Sequence, residues 1–222
     1  MNNAPSIVLL HATPLAMEPV HAAFAADWPE GNLINLLDDG LTAARAASEH
    51  LTESLIARFV NLVRYCYGVG ADAILATCSA FGPAIEAADL ELPVPVCKPN
   101  DAMFRDALAC GNNIAMVATF APAVSTMEAE FFHEAGRLNP RATLRTFVVD
   151  GAIDCLRAGD AHKHDQLVAE KVTQLDGYDA IMLAHFSRSR AYKQSVVDAR
   201  APVFTAPRSA ARRLKQRLEV PG

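Results

Sequence analysis

The chain has no C-x-x-C pair, and its five cysteines, Cys66, Cys78, Cys97, Cys110 and Cys155, are odd in number and widely spread. Neither a disulfide framework nor a cysteine zinc site follows from such a set, and a reducing cytoplasm is the compartment expected. There is no H-E-x-x-H, and the histidines of His162-Lys163-His164, at i and i+2, would point away from each other on a helix. No metal is therefore expected. The first apolar run is followed by His11-Ala12-Thr13-Pro14 rather than by G-x-G-x-x-G or a P-loop, so no glycine-rich phosphate cradle is present. Without a G-x-S-x-G elbow, Ser79 reads as a hydrogen-bond donor rather than a nucleophile.

Positive charge is scarce as well. The net charge is −5, and the only basic cluster, Arg212 to Arg217, carries apolar Leu214 and Leu218 at helical spacing, as the solvated face of a C-terminal helix would. Nucleic acid is not an expected partner. No apolar run approaches the ~18 residues of a membrane span, so no membrane partner is expected either. Ile7-Val8-Leu9-Leu10 has no basic region ahead of it and is too short for a signal peptide, so it reads as a first buried strand.

What the chain does have is a globular composition, 51% hydrophobic and 20% charged over 222 residues. Short apolar runs at 6–12, 32–37, 73–78, 94–97, 113–118, 143–149, 180–185 and 202–205 alternate with helical patterns near 16–27, 48–69, 83–89, 100–110, 123–138, 160–176, 189–199 and 208–218. Fully apolar strands between helices specify an α/β fold with parallel sheets covered by helices.

One stretch organises the rest. Asp72-Ala73-Ile74-Leu75-Ala76 runs into Thr77-Cys78-Ser79-Ala80, and Phe81-Gly82-Pro83 then opens a helix, so Cys78 falls on a strand-to-helix turn. Ligands bind at such turns in open α/β sheets, and helix-start N–H groups can hold a carboxylate and favour a thiolate. The plainer alternative is a small buried hydrophobe, as most free cysteines are. The stretch has a second copy, Asp179-Ala180-Ile181-Met182-Leu183-Ala184-His185-Phe186-Ser187, at an offset of 179 − 72 = 107. The same offset pairs Ile7-Val8-Leu9-Leu10 with Ile114-Ala115-Met116-Val117, and Pro95-Val96 with Pro202-Val203. Three strand candidates in one register indicate an internal duplication. Two similar lobes follow, residues 1–99 plus 206–222 and residues 100–205, related by a pseudo-twofold axis with the active site in the cleft between them. Cys78 then corresponds to His185.

The turns after the strands hold the polar residues able to do chemistry. They include His11 and Thr13, Asp38-Asp39-Gly40, Thr77-Cys78-Ser79, Thr119-Phe120, and His185-Phe186-Ser187. Asp38-Asp39-Gly40 reads first as a loop before a helix, and second as a lid. His11 and His185 could each be a satisfied structural histidine, but both stand at strand ends.

The threonine-cysteine turn, its repeat, the length and the two-lobed layout resemble the aspartate/glutamate racemase superfamily, which also includes hydantoin racemases, maleate isomerases and arylmalonate decarboxylases. The resemblance spans essentially the whole chain. It implies a metal- and cofactor-independent enzyme in which two cysteines, one per lobe, remove and return a proton beside a carboxylate. Cys78 would be the first of that pair, with Ser79 and Ala80 at the turn positions that hold the substrate carboxylate. The second position carries His185, and Phe186 replaces the usual threonine after it. The expected function is thus a racemase or isomerase of a small carboxylate, with Cys78 as base and His185, ordinarily titrating near ~6.5, as partner acid. His11, Thr13, Ser79, Ala80, Thr119, Phe120 and Ser187 are the expected substrate contacts. A decarboxylase of a malonate-type acid and a non-catalytic carboxylate-binding protein are the alternatives. A homodimer or larger homo-oligomer is compatible with the chain.

Overall fold

The computed structural model describes residues 4–48, 50–184 and 191–219. The chain divides into two compact units, residues 1–100 with 210–222, and residues 101–209.

In the first unit, β1 (Ser6–His11), β2 (Asn32–Leu37), β3 (Ala73–Ala76) and β4 (Val96–Cys97) form a parallel sheet in the order β2-β1-β3-β4. Its helices are α1 (Met17–Asp27), α2 (Gly40–Ala46), α3 (Glu53–Gly68) and α4 (Gly82–Glu91). In the second, β5 (Asn113–Ala118), β6 (Thr143–Val148), β7 (Ala180–Leu183) and β8 (Val203–Thr205) repeat the arrangement as β6-β5-β7-β8, again parallel. Its helices are α5 (Asp101–Cys110), α6 (Val124–Leu138), α7 (Ala152–Arg157), α8 (Ala161–Thr173) and the short α9 (Tyr192–Ser195), and the division between the units falls within α10 (Ala206–Glu219). The fold is therefore α/β with helix-covered parallel sheets. Among the described residues no helix is long and apolar enough to cross a membrane.

Local chemistry explains the elements. β1 and β3 are central and buried on both faces, hence Ile7 to Leu10 and Ala73 to Ala76 without a polar residue. β2 and β6 lie at sheet edges, and there polar residues interrupt the apolar ones. Thr52 starts α3 by accepting the Leu55 N–H at 3.3 Å, after which Leu55, Phe59, Val63 and Cys66 line one buried face. Asp160 starts α8 in the same way through the Lys163 N–H at 2.9 Å.

The duplication extends to individual hydrogen bonds. The Asp72 carboxylate accepts the Ser6 N–H at 2.7 Å, and its counterpart Asp179 accepts those of Asn112 and Asn113 at 2.7 and 2.8 Å. Two residues before each aspartate, Gly70 and Gly177 take positive φ (93° and 77°), the left-handed turn that brings the chain from helix to strand. The helices and strands differ from the sequence expectation in several respects. β3 ends at Ala76, leaving Thr77 and Cys78 beyond it. Asp38-Asp39 is the expected loop before a helix, but that helix is α2, starting at Gly40 rather than near 48, and α7 is an additional helix.

Because Asp179 closes two strand-start N–H groups and Asp72 one, Asp179→Ala is expected to cost about 1–3 kcal/mol and Asp72→Ala about 1 kcal/mol. Urea unfolding of the two variants checks both the sizes and their order.

Candidate active site

Strand alternation sends the side chains of Thr77 and Cys78 to opposite faces of the first sheet. Cys78, half-buried and with extended backbone, packs on the core built by α3 and α4 with Ile74, Ala76, Phe59 and Phe81. It caps a short 3-10 turn, Ser79–Phe81, that continues directly into α4. Phe81 anchors that turn: it is fully buried and stacks on Phe59 with centroids 4.9 Å apart. Ser79 is half-buried and Ala80 exposed on the same turn.

On the opposite face stands a chain of polar side chains. The Thr77 N–H donates to the Leu10 carbonyl at 3.0 Å, and Thr77 Oγ1 lies 3.3 Å from the same oxygen and 2.9 Å from His11 Nδ1. His11 Nε2 lies 3.0 Å from Asn35 Oδ1, which also receives His21 Nε2 at 2.9 Å. His11 is fully buried. Burial, reinforced by the neighbouring His21, lowers its pKa below the ordinary 6.5, although the Asn35 hydrogen bond acts in the opposite sense. A neutral imidazole fits the distances when Nε2–H donates to Asn35 and Nδ1 accepts the Thr77 hydroxyl hydrogen.

Sequence reasoning placed His11 among the substrate contacts; the structure places it beneath the turn, with both nitrogens engaged inside the unit. It missed Asn35 and His21. The available signal was a lone polar residue within Leu33-Ile34-Asn35-Leu36-Leu37. Thr13 is half-buried and caps the 3-10 turn Pro14–Ala16, accepting the Leu15 N–H at 3.4 Å. The neighbouring Ala12 carbonyl accepts from Thr42 Oγ1 of α2 at 2.5 Å, and Asp38 is held by a forked Arg58 at 2.7–3.0 Å. The ends of adjacent β1 and β3 therefore bring His11, Thr13, Cys78, Ser79 and Ala80 to the carboxyl end of the first sheet.

In the second unit Thr119 is buried and Phe120 is partly exposed at the end of β5. Ala184 follows β7, its N–H donating to the Val117 carbonyl at 2.9 Å as Thr77 does to Leu10. His185, Phe186 and Ser187 lie outside the described residues. Buried side-chain atoms without a hydrogen-bond partner occur here at His164 Nε2, Ser195 Oγ and Thr205 Oγ1. Among the described residues no three His, Cys, Asp or Glu side chains are grouped as metal ligands would be.

The cysteines differ in environment. Burial pushes the Cys66 thiol up to about 11, and Cys110 is raised by partial burial and by the carboxylates of Asp106 and Asp179.

No protein-family model and no curated protein sequence gives a significant match to the chain. Solved structures do. The chain is similar to allantoin racemase from Klebsiella pneumoniae, with 17% identity, a TM-score of 0.73, and 97% of this chain and 88% of that one covered. It is similar to glutamate racemase from Francisella tularensis in complex with D-glutamate, with 15% identity, a TM-score of 0.63, and 99% and 82% covered. It is also similar to a glycine-to-cysteine mutant of arylmalonate decarboxylase in a sulfate-associated form, with 18% identity, a TM-score of 0.66, and 96% and 94% covered. At these identities the likeness establishes a shared fold.

The lowered His11 pKa has a consequence for stability. The folded state binds this proton less readily than the unfolded state, so its contribution is complete above 6.5 and is lost as the pH falls through the lower folded value. His11→Gln, which cannot titrate, is therefore expected to show a smaller drop in Tm between pH 7.5 and pH 5 than the natural protein. Thermal unfolding at the two pH values checks it.

Proposed function

We propose that the protein is a cofactor-independent racemase or isomerase of a small carboxylate, with Cys78 as the proton-transfer group. The observation that carries the reading is the placement of Cys78, half-buried on the turn between β3 and α4, in a fold shared with an allantoin racemase and a glutamate racemase. A thiolate there meets N–H groups at the start of a helical segment, which favour negative charge on sulfur or on a bound carboxylate.

In the reaction, the Cys78 thiolate takes the proton from the carbon beside the substrate carboxylate, and the charge left behind spreads onto that carboxylate. Ser79 and Thr13, with Thr119, hold its oxygens as the charge grows. His185 then delivers a proton to the carbon, and return through solvent resets both groups. The arylmalonate decarboxylase neighbour supports a second reading. There, carbon dioxide leaves a malonate-type acid and Cys78, as thiol, protonates the resulting carbanion.

The test is proton exchange in heavy water with amino acids, hydantoins, and malonate- and maleate-type acids, followed by NMR and chiral chromatography. Exchange with inversion supports racemisation, whereas release of carbon dioxide with one enantiomer formed supports decarboxylation. Cys78→Ala is expected to lose ~10²–10⁴-fold of either activity, and exchange at the natural rate in that variant overturns the reading. His185→Ala should lose inversion while keeping exchange, and His185→Cys should keep inversion.

The cysteine environments supply an independent check. Iodoacetamide near neutral pH is expected to label Cys78 before Cys66 and Cys110, whose thiols are raised. Peptide mapping by mass spectrometry reads the order.

A further inference from the structure

We propose that His11 is a positioning residue for Cys78, acting through Thr77. This rests on the reading of Cys78 as the proton-transfer group and adds to it the part of the protein that sets the cysteine's direction.

The argument comes from comparing the two units at equivalent positions. In the second unit the counterparts of His11 and Thr77, by the offset of 179 − 72 = 107, are Ala118 and Ala184. Both alanines are buried, and the backbone around them is bonded as in the first unit. The Ala184 N–H donates to Val117 at 2.9 Å and the Val149 N–H to Ala118 at 2.8 Å, where the first unit has Thr77 to Leu10 at 3.0 Å and Asp38 to His11 at 3.0 Å. The strand ends therefore close with two alanines, and the fold itself does not require an imidazole and a hydroxyl there.

The outer part of the chain differs in this respect. Asn35 pairs with Leu9 in the sheet as Thr146 pairs with Met116, and the helix partners are His21 in the first unit and Glu128 in the second. The His21–Asn35 contact at 2.9 Å thus has a counterpart in Glu128–Thr146 at 2.5 Å, a link from helix to edge strand that both units keep. Only the inner step, Asn35 to His11 to Thr77, is peculiar to the unit that carries Cys78.

That step ends next to the cysteine. β3 ends at Ala76, so Thr77 is the last residue tied to the sheet before Cys78 opens the turn. Its N–H is fixed on Leu10 and its hydroxyl on His11 at 2.9 Å, while the His11 ring is braced from behind by Asn35 at 3.0 Å. With rotation of Thr77 blocked, the Cα–Cβ bond of Cys78 has one direction relative to the N–H groups of the following turn. Buried polar groups cost stability compared with alanines that pack, which gives this chain a reason to exist beyond folding.

The test measures the iodoacetamide rate at Cys78 and needs no substrate. His11→Ala and Thr77→Ala install the residues that the second unit already carries. In both, Cys78 labelling is expected to slow at least about fivefold, the rate equivalent of one lost hydrogen bond, while Cys66 stays unlabelled and Thr77→Ser keeps the natural rate. Thr77→Val, equal in volume to threonine, carries the same expectation should an alanine variant fail to fold. Unchanged Cys78 labelling in folded variants overturns the proposal. So does a Thr77→Ser as slow as Thr77→Ala, because the hydroxyl is then irrelevant, or labelling of Cys66 in parallel, because the unit has then merely loosened. Cys78→Ala in the exchange assay separately tests the reading on which the proposal rests.

Discussion

The constraint on which the first unit depends is that consecutive strand residues face opposite sides of a sheet. At the end of β3 it divides Thr77 from Cys78. One side chain joins the polar chain through His11 and Asn35, and the other joins the apolar contacts of Phe59 and Phe81. The turn between strand and helix is thereby gripped from both faces. The stacked rings of Phe59 and Phe81 hold it by burial, and Thr77 holds it by directed hydrogen bonds, so a thiol on an otherwise short turn acquires a fixed place.

The duplicated halves show which interactions belong to the fold and which do not. Aspartates that close the strand starts, glycines at positive φ before them and the bonds from one strand end to the next recur at equivalent positions. These satisfy backbone groups that any such sheet must satisfy when buried. The side chains at the strand ends and just past them are free of that demand. There the copies diverge: Thr13 stands against Phe120, His11 against Ala118, and Cys78 against His185.

Much of this was legible because burial on both faces leaves a plain mark. Ile7 to Leu10, Ala73 to Ala76 and their repeats could only be central parallel strands, and the offset between copies located the turns that matter. Elements without an apolar stripe were not legible. α2 buries only Leu41 and α7 only Ala152, so neither shows a helical period. The short β3 was overestimated because Thr77 continues its backbone bonding without completing a further ladder pair. Asn35 was hidden for a different reason. A polar residue on an edge strand is ordinarily a solvated one, and only the neighbouring strand end, with His11 on the same face, gives it a buried partner.

The cysteines show why an intermediate position suits a thiol proposed to exchange protons. Full burial removes water from Cys66 and pushes its thiol up to about 11, so near pH 7 only about one molecule in ten thousand would carry the thiolate. Exposure does not cure this by itself. Cys110 is exposed overall, yet the partial burial of its thiol, with the carboxylates of Asp106 and Asp179, still opposes its ionisation. Cys78 stands between the two, half-buried at the start of a helical segment. Its apolar neighbours pack against the side chain, which stays partly exposed. A thiol pulled fully into the Phe59–Phe81 core would gain rigidity and lose ionisation, whereas one pushed out to solvent would gain ionisation and lose direction. Holding Thr77 from the far face of the sheet sets the direction without burying the sulfur.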